Sequence, residues 1–290
     1  MSYSPLQLAE AFIQAGELVD AVDALTQHLE ATPGDDAARR LRAQVLIRMR
    51  SAENYRAALA DLDQLDAPTP DDDVTRAIAL EYLEFLSKSL SDLDGAMQAI
   101  ERASSARPGD ERIAERYFYM LEARARWEEA RSLLNTMPRT WNWLQKAGDL
   151  ASEYEGETEA VTYYAQALEH LETQFDTSTD AFAQSIKSHL LSSRAQMYAT
   201  LGQFREADAD YTAAEGLAPD DATLMFWHSF VAAELSDEEQ ALALCRAALG
   251  KASDGWRTQM METLKVMRDG GRYQVLVDAM LRSPDNLDQT

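Results

Sequence analysis

Apolar residues along this chain recur at spacings of three and four, in short runs broken at similar intervals. Residues 190–201 and 204–217 show the pattern plainly. Leu191, Ala195 and Tyr198 form one stripe, and Ala207, Tyr211 and Ala214 form another. Between them Leu201-Gly202-Gln203-Phe204 breaks the periodicity, so the stretch predicts two helices and a turn. Ala195 and Ala207 are small enough for two backbones to approach, while Tyr198, Phe204 and Tyr211 fill the space around that contact. A hairpin of this size cannot bury both stripes by itself. The pattern should therefore recur.

It recurs throughout the chain. With Ala207 as the anchor, equivalent alanines stand at Ala21, Ala58, Ala96, Ala130, Ala160 and Ala241. Four residues beyond the anchors come Leu25, Leu62, Ile100, Leu134, Tyr164, Tyr211 and Cys245. Three residues before them come Leu18, Tyr55, Leu93, Trp127 and Phe204, with Glu157 and Glu238 as exceptions. Twelve residues after Ala21, Ala58, Ala96 and Ala207 stands a proline each time, Pro33, Pro70, Pro108 and Pro219, in a chain with only 8 prolines.

Small residues in both helices, aromatic or aliphatic residues between them and a closing proline make the unit resemble the tetratricopeptide repeat (TPR). The resemblance covers most of the chain. It implies an all-α fold, a right-handed solenoid of antiparallel helix pairs with about seven repeats. A degenerate capping pair follows around Gly270-Gly271, carrying Tyr273, Leu276 and Met280 on its second helix. The expected organisation is one solenoid over 1–283 with a bend near 170–190, then a frayed tail over 284–290. Around the bend, HLETQFDTSTDAFAQSIKSHL reads as two lengthened helices joined by a turn, with Ser178 or Thr179 capping the second.

In proteins of this kind the first helices of the pairs line a binding groove. The positions this resemblance assigns to the groove include Arg112 and Tyr119 in repeat four, Asn142 and Gln145 in repeat five, Gln196 in repeat six, and Phe226 and Phe230 in repeat seven. Consecutive aromatics at 117–119 and 225–230 point about 100° apart on a helix, so they cannot all enter one packing stripe. Tyr119, Phe226 and Phe230 are thus expected either to anchor an apolar ligand segment, with Arg112 and Arg116 beside it to pair with a carboxylate, or only to fill inter-repeat space widened by the irregular repeats. The Lys and Asn pair of carboxylate-clamp TPR proteins is not matched by Leu6 and Glu10, nor by Gln145 and Asp149, which disfavours binding of chaperone tails.

Composition narrows the functional classes. The formal net charge of -23 disfavours nucleic acid and anionic lipid, both of which need clustered Lys and Arg. Many acids fall on second helices, among them Asp20, Asp23, Asp61, Asp63, Asp208 and Asp210, where they are expected to solvate the outer face. No apolar run approaches the roughly 18 residues needed to span a bilayer, and MSYSPLQLAEAF has no basic segment followed by an apolar one. The expectation is a cytoplasmic protein without membrane insertion. A single cysteine, Cys245, suits a reducing compartment and occupies a core position.

Phosphate-binding loops, nucleophile elbows and zinc-protease motifs are absent. The four histidines, His28, His170, His189 and His228, do not form a local metal pair. DAPTPDDD at 66–73 lacks the glycine and distal glutamate of a calcium loop, and it reads as an inter-repeat turn whose Asp71–Asp73 favour the next helix's positive end. Neither a catalytic residue, a cofactor nor a metal is expected. These observations point to a non-enzymatic adaptor that holds a peptide segment or helix of another protein in its groove. The alternative is a structural subunit of a larger assembly, bound through its outer face or ends, and self-association stays open.

Overall fold

The computed structural model describes residues 4–87, 90–270 and 273–281, and the described residues form sixteen α-helices and no strand. They fall into two compact units, Met1–Thr136 and Met137–Thr290. The first unit holds four consecutive pairs: α1 (Pro5–Ala15) with α2 (Leu18–Ala31), α3 (Asp36–Arg48) with α4 (Ala52–Leu62), α5 (Pro70–Ser87) with α6 (Leu90–Ala106), and α7 (Glu111–Glu122) with α8 (Trp127–Leu134). The second holds α9 (Trp141–Tyr154) with α10 (Glu157–Gln174), α11 (Ala181–Thr200) with α12 (Phe204–Leu217), α13 (Ala222–Glu234) with α14 (Glu238–Lys251), and α15 (Asp254–Asp269) with α16 (Gln274–Leu281). Within each unit every pair packs on the next. The expected tail at 284–290 and the Met280 side chain lie outside the described residues.

The repeated alanines are where the helices of a pair cross. Ala21, Ala58, Ala96, Ala130, Ala160, Ala207 and Ala241 are at most 1% exposed. The residues four positions on are buried too, apart from a half-buried Leu134. Repeat five places Gly148 where repeat six has Ala195. A β-carbon on Gly148 would come within 2.6 Å of the Tyr164 ring, which fills the crossing and donates its hydroxyl to Asp149 Oδ1 at 2.8 Å. Here only hydrogen leaves room for the larger partner.

Five of the turns inside the pairs share one backbone device. A residue in the left-handed region precedes the second helix: Gly16 at φ 80° and Gly202 at φ 73°, but also Arg50, Ala125 and Ser236 at φ 51°, 53° and 64°. For the last three the conformation costs about 1 kcal/mol each, which the packed helices on both sides offset.

Caps mark most first helices. Asp35, Asp110, Asp180 and Asp221 each accept a backbone N–H of the helix they precede. At the lengthened junction the cap is thus Asp180 rather than Ser178 or Thr179, whose hydroxyls donate to Asp176. In the turn before α5, Thr69 and Asp72 form a reciprocal cap. The Asp72 carboxylate accepts from Thr69 N at 2.7 Å, and Asp72 N donates to Thr69 Oγ1 at 3.4 Å.

The second-helix acids do not all solvate the exterior, contrary to the expectation from charge alone. Asp61 is 2% exposed and accepts two bonds from the Arg42 guanidinium, at 2.8 and 2.5 Å, while Arg42 Nη1 also donates to Thr26 at 3.0 Å. Asp210 accepts two from Arg194, both at 2.7 Å. Each aspartate stands three residues after an anchor alanine, and each arginine directly precedes the small residue of the facing helix, Ala43 or Ala195. Two-pronged pairing satisfies both charges in a setting that excludes most water.

Candidate functional site

α13 has the sequence ATLMFWHSFVAAE and is apolar almost all round. Such a helix must be covered on most sides. α14 and the terminal pair cover one side, so Met225, Phe226 and Phe230 join a core with Cys245, Met260, Leu264 and Leu276. On another side His228 packs against α12. Trp227, 100° away from its neighbours, remains 41% exposed.

Around Trp227 the second unit has a hollow of about 350 Å³. α11 supplies Gln196, Ala199 and Thr200, α12 supplies Phe204 and Tyr211, α13 supplies Trp227, Phe230, Val231 and Glu234, and Met267 and Tyr273 close it from the terminal pair. Its aromatic side is ordered by edge-on and tilted ring contacts. Phe230 lies 5.9 Å from Trp227 and 5.0 Å from Tyr273 between ring centroids, and Phe226 packs edge-on to both Trp227 and Phe230. A second hollow of about 310 Å³ is lined by Ala233, Glu234, Glu238, Ala241, Leu242, Tyr273, Gln274 and Leu276, sharing Glu234 and Tyr273 with the first. The two linings combine apolar side chains and rings with amides, hydroxyls and carboxylates, a combination that suits an apolar or amphipathic side chain with a polar end.

Several expectations about the site change. Phe226 and Phe230, expected as ligand anchors, are 2% and 5% exposed and belong to the core, because α15 and α16 close over them. Phe230 reaches the hollow only as part of its wall. In the first unit Arg112 pairs with Asp71 and Arg116 with Glu81, so both guanidinium groups already hold carboxylates of α5. Tyr119 is 51% exposed on α7, edge-on to the buried Phe118. Asn142 accepts from Thr140 Oγ1 at 2.5 Å, and Gln145 is half-buried on the same helix. Of the eight predicted residues, Gln196 and Phe230 come together in the hollow; Asn142 and Gln145 do not line it.

Sequence reasoning missed Trp227, Phe204, Met267 and Tyr273 as wall residues. The signal available was the run MFWHSF itself, which requires some ring to face outward without saying which.

His228 is a strongly engaged titratable group beside the hollow's α12 wall. It is 1% exposed, stacks on Tyr211 at 5.5 Å, and has Glu215 on Nδ1 and Asp208 on Nε2, both at 2.8 Å. Burial works against the imidazolium, but the hydrogen bonds to Glu215 and Asp208 outweigh it and hold the pKa above the ordinary value. A histidine whose folded pKa is raised stabilises fully below the unfolded value of about 6.5, and that contribution fades as pH rises through the folded value. The melting temperature of wild type should therefore exceed that of His228→Gln most at acidic pH, with the gap narrowing toward alkaline pH. A gap independent of pH would mean that folding leaves the imidazole pKa unchanged.

Cys245 is fully buried, and burial raises its thiol to about 11, so it stays a protonated core side chain at neutral pH. Among the described residues no group of three or more His, Cys, Asp or Glu is placed to hold a metal ion, and no helix is long and apolar enough to cross a membrane.

No family model and no curated protein matches the chain. Among solved structures it is similar to a tetratricopeptide repeat protein from Parabacteroides merdae ATCC 43184, with a TM-score of 0.53 and 14% identity over 91% of this chain and 97% of that one. MamA gives a TM-score of 0.47 at 13% identity over 58% and 92% of the two chains, and YrrB, described as a TPR protein with an unusual peptide-binding site, gives 0.46 at 14% over 73% and 100%. The first match, over nearly the whole length of both chains, establishes the fold and nothing beyond it; the two lower scores carry no weight. Together with the helix pairs and buried alanines, it gives the chain a fold of the tetratricopeptide-repeat type.

Proposed function

We propose that the chain is a non-catalytic adaptor that holds a peptide segment or helix of another protein against the first-helix face of its second unit. The observation that carries this reading is the hollow around Trp227. It is open, walled by aromatic rings, and edged by Gln196 and Thr200, whose side chains can hydrogen-bond a bound backbone. An exposed tryptophan set among packed rings is the type of residue on which binding energy concentrates.

The test is affinity capture from the native host's extract, followed by titration of the purified captured protein against wild type and Trp227→Ala. Because Trp227 is 41% exposed, the variant keeps its helicity. Its affinity should fall at least about tenfold. An unchanged affinity would favour the second reading, a structural subunit held elsewhere. A separate aromatic group supports keeping that reading: Phe182 is 60% exposed and packs edge-on to Trp141 and Phe175, and none of the three lines the hollow.

A further inference from the structure

Arginines in this chain mostly hold carboxylates. Arg40 bonds to Asp72, Arg42 to Asp61, Arg76 to Asp63 and Arg102 to Asp73, as expected where 50 acids outnumber 27 lysines and arginines. Arg48, Arg50 and Arg56 differ. All three are exposed, and none holds a hydrogen bond or ion pair among the described residues. They lie within RMRSAENYR at the turn from α3 to α4, where Glu53 is the only acid, and Glu53 sits in the first turn of α4, whose positive end favours it. Arg50 takes a left-handed φ of 51° where two other turns have Gly16 and Gly202, so a long cation occupies a place that glycine fills with less strain.

An exposed ring stands beside this turn. Tyr82 of α5 is 40% exposed and stacks on the buried Tyr55 of α4, with 5.2 Å between centroids. Burial raises the Tyr55 pKa, Tyr82 adds to the rise and the Arg50 charge opposes it, which puts that guanidinium close to the ring pair. Glu81, the residue before Tyr82, is held by Arg116.

We infer that the turn between α3 and α4 is a docking surface for a segment of another protein that carries carboxylates beside an apolar residue, with Arg48, Arg50 and Arg56 taking the carboxylates and Tyr82 the apolar side chain. This surface belongs to the first unit and is independent of the hollow in the second. Guanidinium groups pair with carboxylates through two parallel hydrogen bonds, and those of this turn have no internal acid to release first. Screening favours a short partner segment. At about 0.15 M salt, charges beyond roughly 8 Å are screened, so such a segment meets the local arginines and not the net charge of -23. A nucleic acid, an anionic bilayer or a second copy of the chain would bring many more negative charges against the acidic remainder.

The test uses the full chain, immobilised, and mixtures of capped peptides about nine residues long, with uncharged randomised flanks around a Glu-Leu-Glu or a Gln-Leu-Gln core. At about 0.15 M salt the Glu mixture should be retained about fivefold more than the Gln mixture, an order opposite to the one that the net charge alone would give. Arg48→Gln, Arg50→Gln and Arg56→Gln together should erase the preference, and the exposure of all three side chains leaves the helices intact. Arg205→Gln with Arg246→Gln, two exposed arginines of the second unit, should leave it unchanged. Equal retention of the two mixtures overturns the inference, as does retention of neither. A preference that survives the triple variant, or disappears with the second-unit pair, overturns it too. A single-stranded oligonucleotide held more tightly than the Glu mixture and released by the triple variant overturns it in favour of nucleic acid, and a dimer in sedimentation that the triple variant dissociates overturns it in favour of a second copy.

Discussion

Asp61→Ala should destabilise the protein by about 3 kcal/mol, read as a lowered urea midpoint, because it leaves the Arg42 guanidinium without its carboxylate in a nearly closed crossing. Asp61 itself is 2% exposed, and the Arg42 side chain is 22% exposed, which places the expected cost at the lower end for a broken buried pair. Arg42 also reaches Thr26 on α2, so the lost partner loosens the packing of two successive pairs and not only of α3 on α4. Replacing both residues, with Arg42→Met and Asp61→Leu, should recover most of the loss, since a paired charge and an apolar pair of similar volume are nearly equivalent once neither is left unsatisfied. If Asp61→Ala were neutral, the carboxylate would be solvated and the pair a surface contact. Asp210→Ala tests the same device in the second unit, where Arg194 is the residue stranded.

Phe118→Ala should cost about 4 kcal/mol, whereas Tyr119→Ala, one residue on, should cost less than about 1 kcal/mol. Phe118 is 1% exposed in the interior of the first unit, and its removal opens a cavity that the surrounding side chains cannot collapse into. Tyr119 is 51% exposed, and the water that replaces its ring is already beside it. Chemical denaturation of the two variants under one set of conditions separates them. Equal costs would mean that α7 is rotated from the orientation described here.

These two neighbours also mark how far the sequence could be read. The alternation of helices, their pairing, the alanine crossings and the place of each turn follow from period and residue size, and the buried anchors occupy the positions those rules predict. Such features are local: a stripe of apolar side chains at spacings of three and four must be covered, and a small residue in it marks where the covering helix comes closest. Candidate site residues were legible only in part. Gln196, expected at the groove, lines the hollow, while Phe226 and Phe230, expected as ligand anchors or as filling between repeats, belong to the core.

Periodicity fixes the angle between residues around one helix axis, but it does not say which directions other helices occupy. On α7 the helix pair behind it makes Phe118 internal and leaves Tyr119 out; on α13 the terminal pair takes Phe226 and Phe230 and leaves Trp227. Arg112 and Arg116 were available to a ligand until Asp71 and Glu81, 41 and 35 residues away, were brought beside them. The chain by itself thus determined the repeated helix pair and its crossings, because those depend on side chains a few residues apart. Which rings and charges stayed at the surface was decided by tertiary packing, because burial and ion pairing depend on residues that come together only when successive pairs stack.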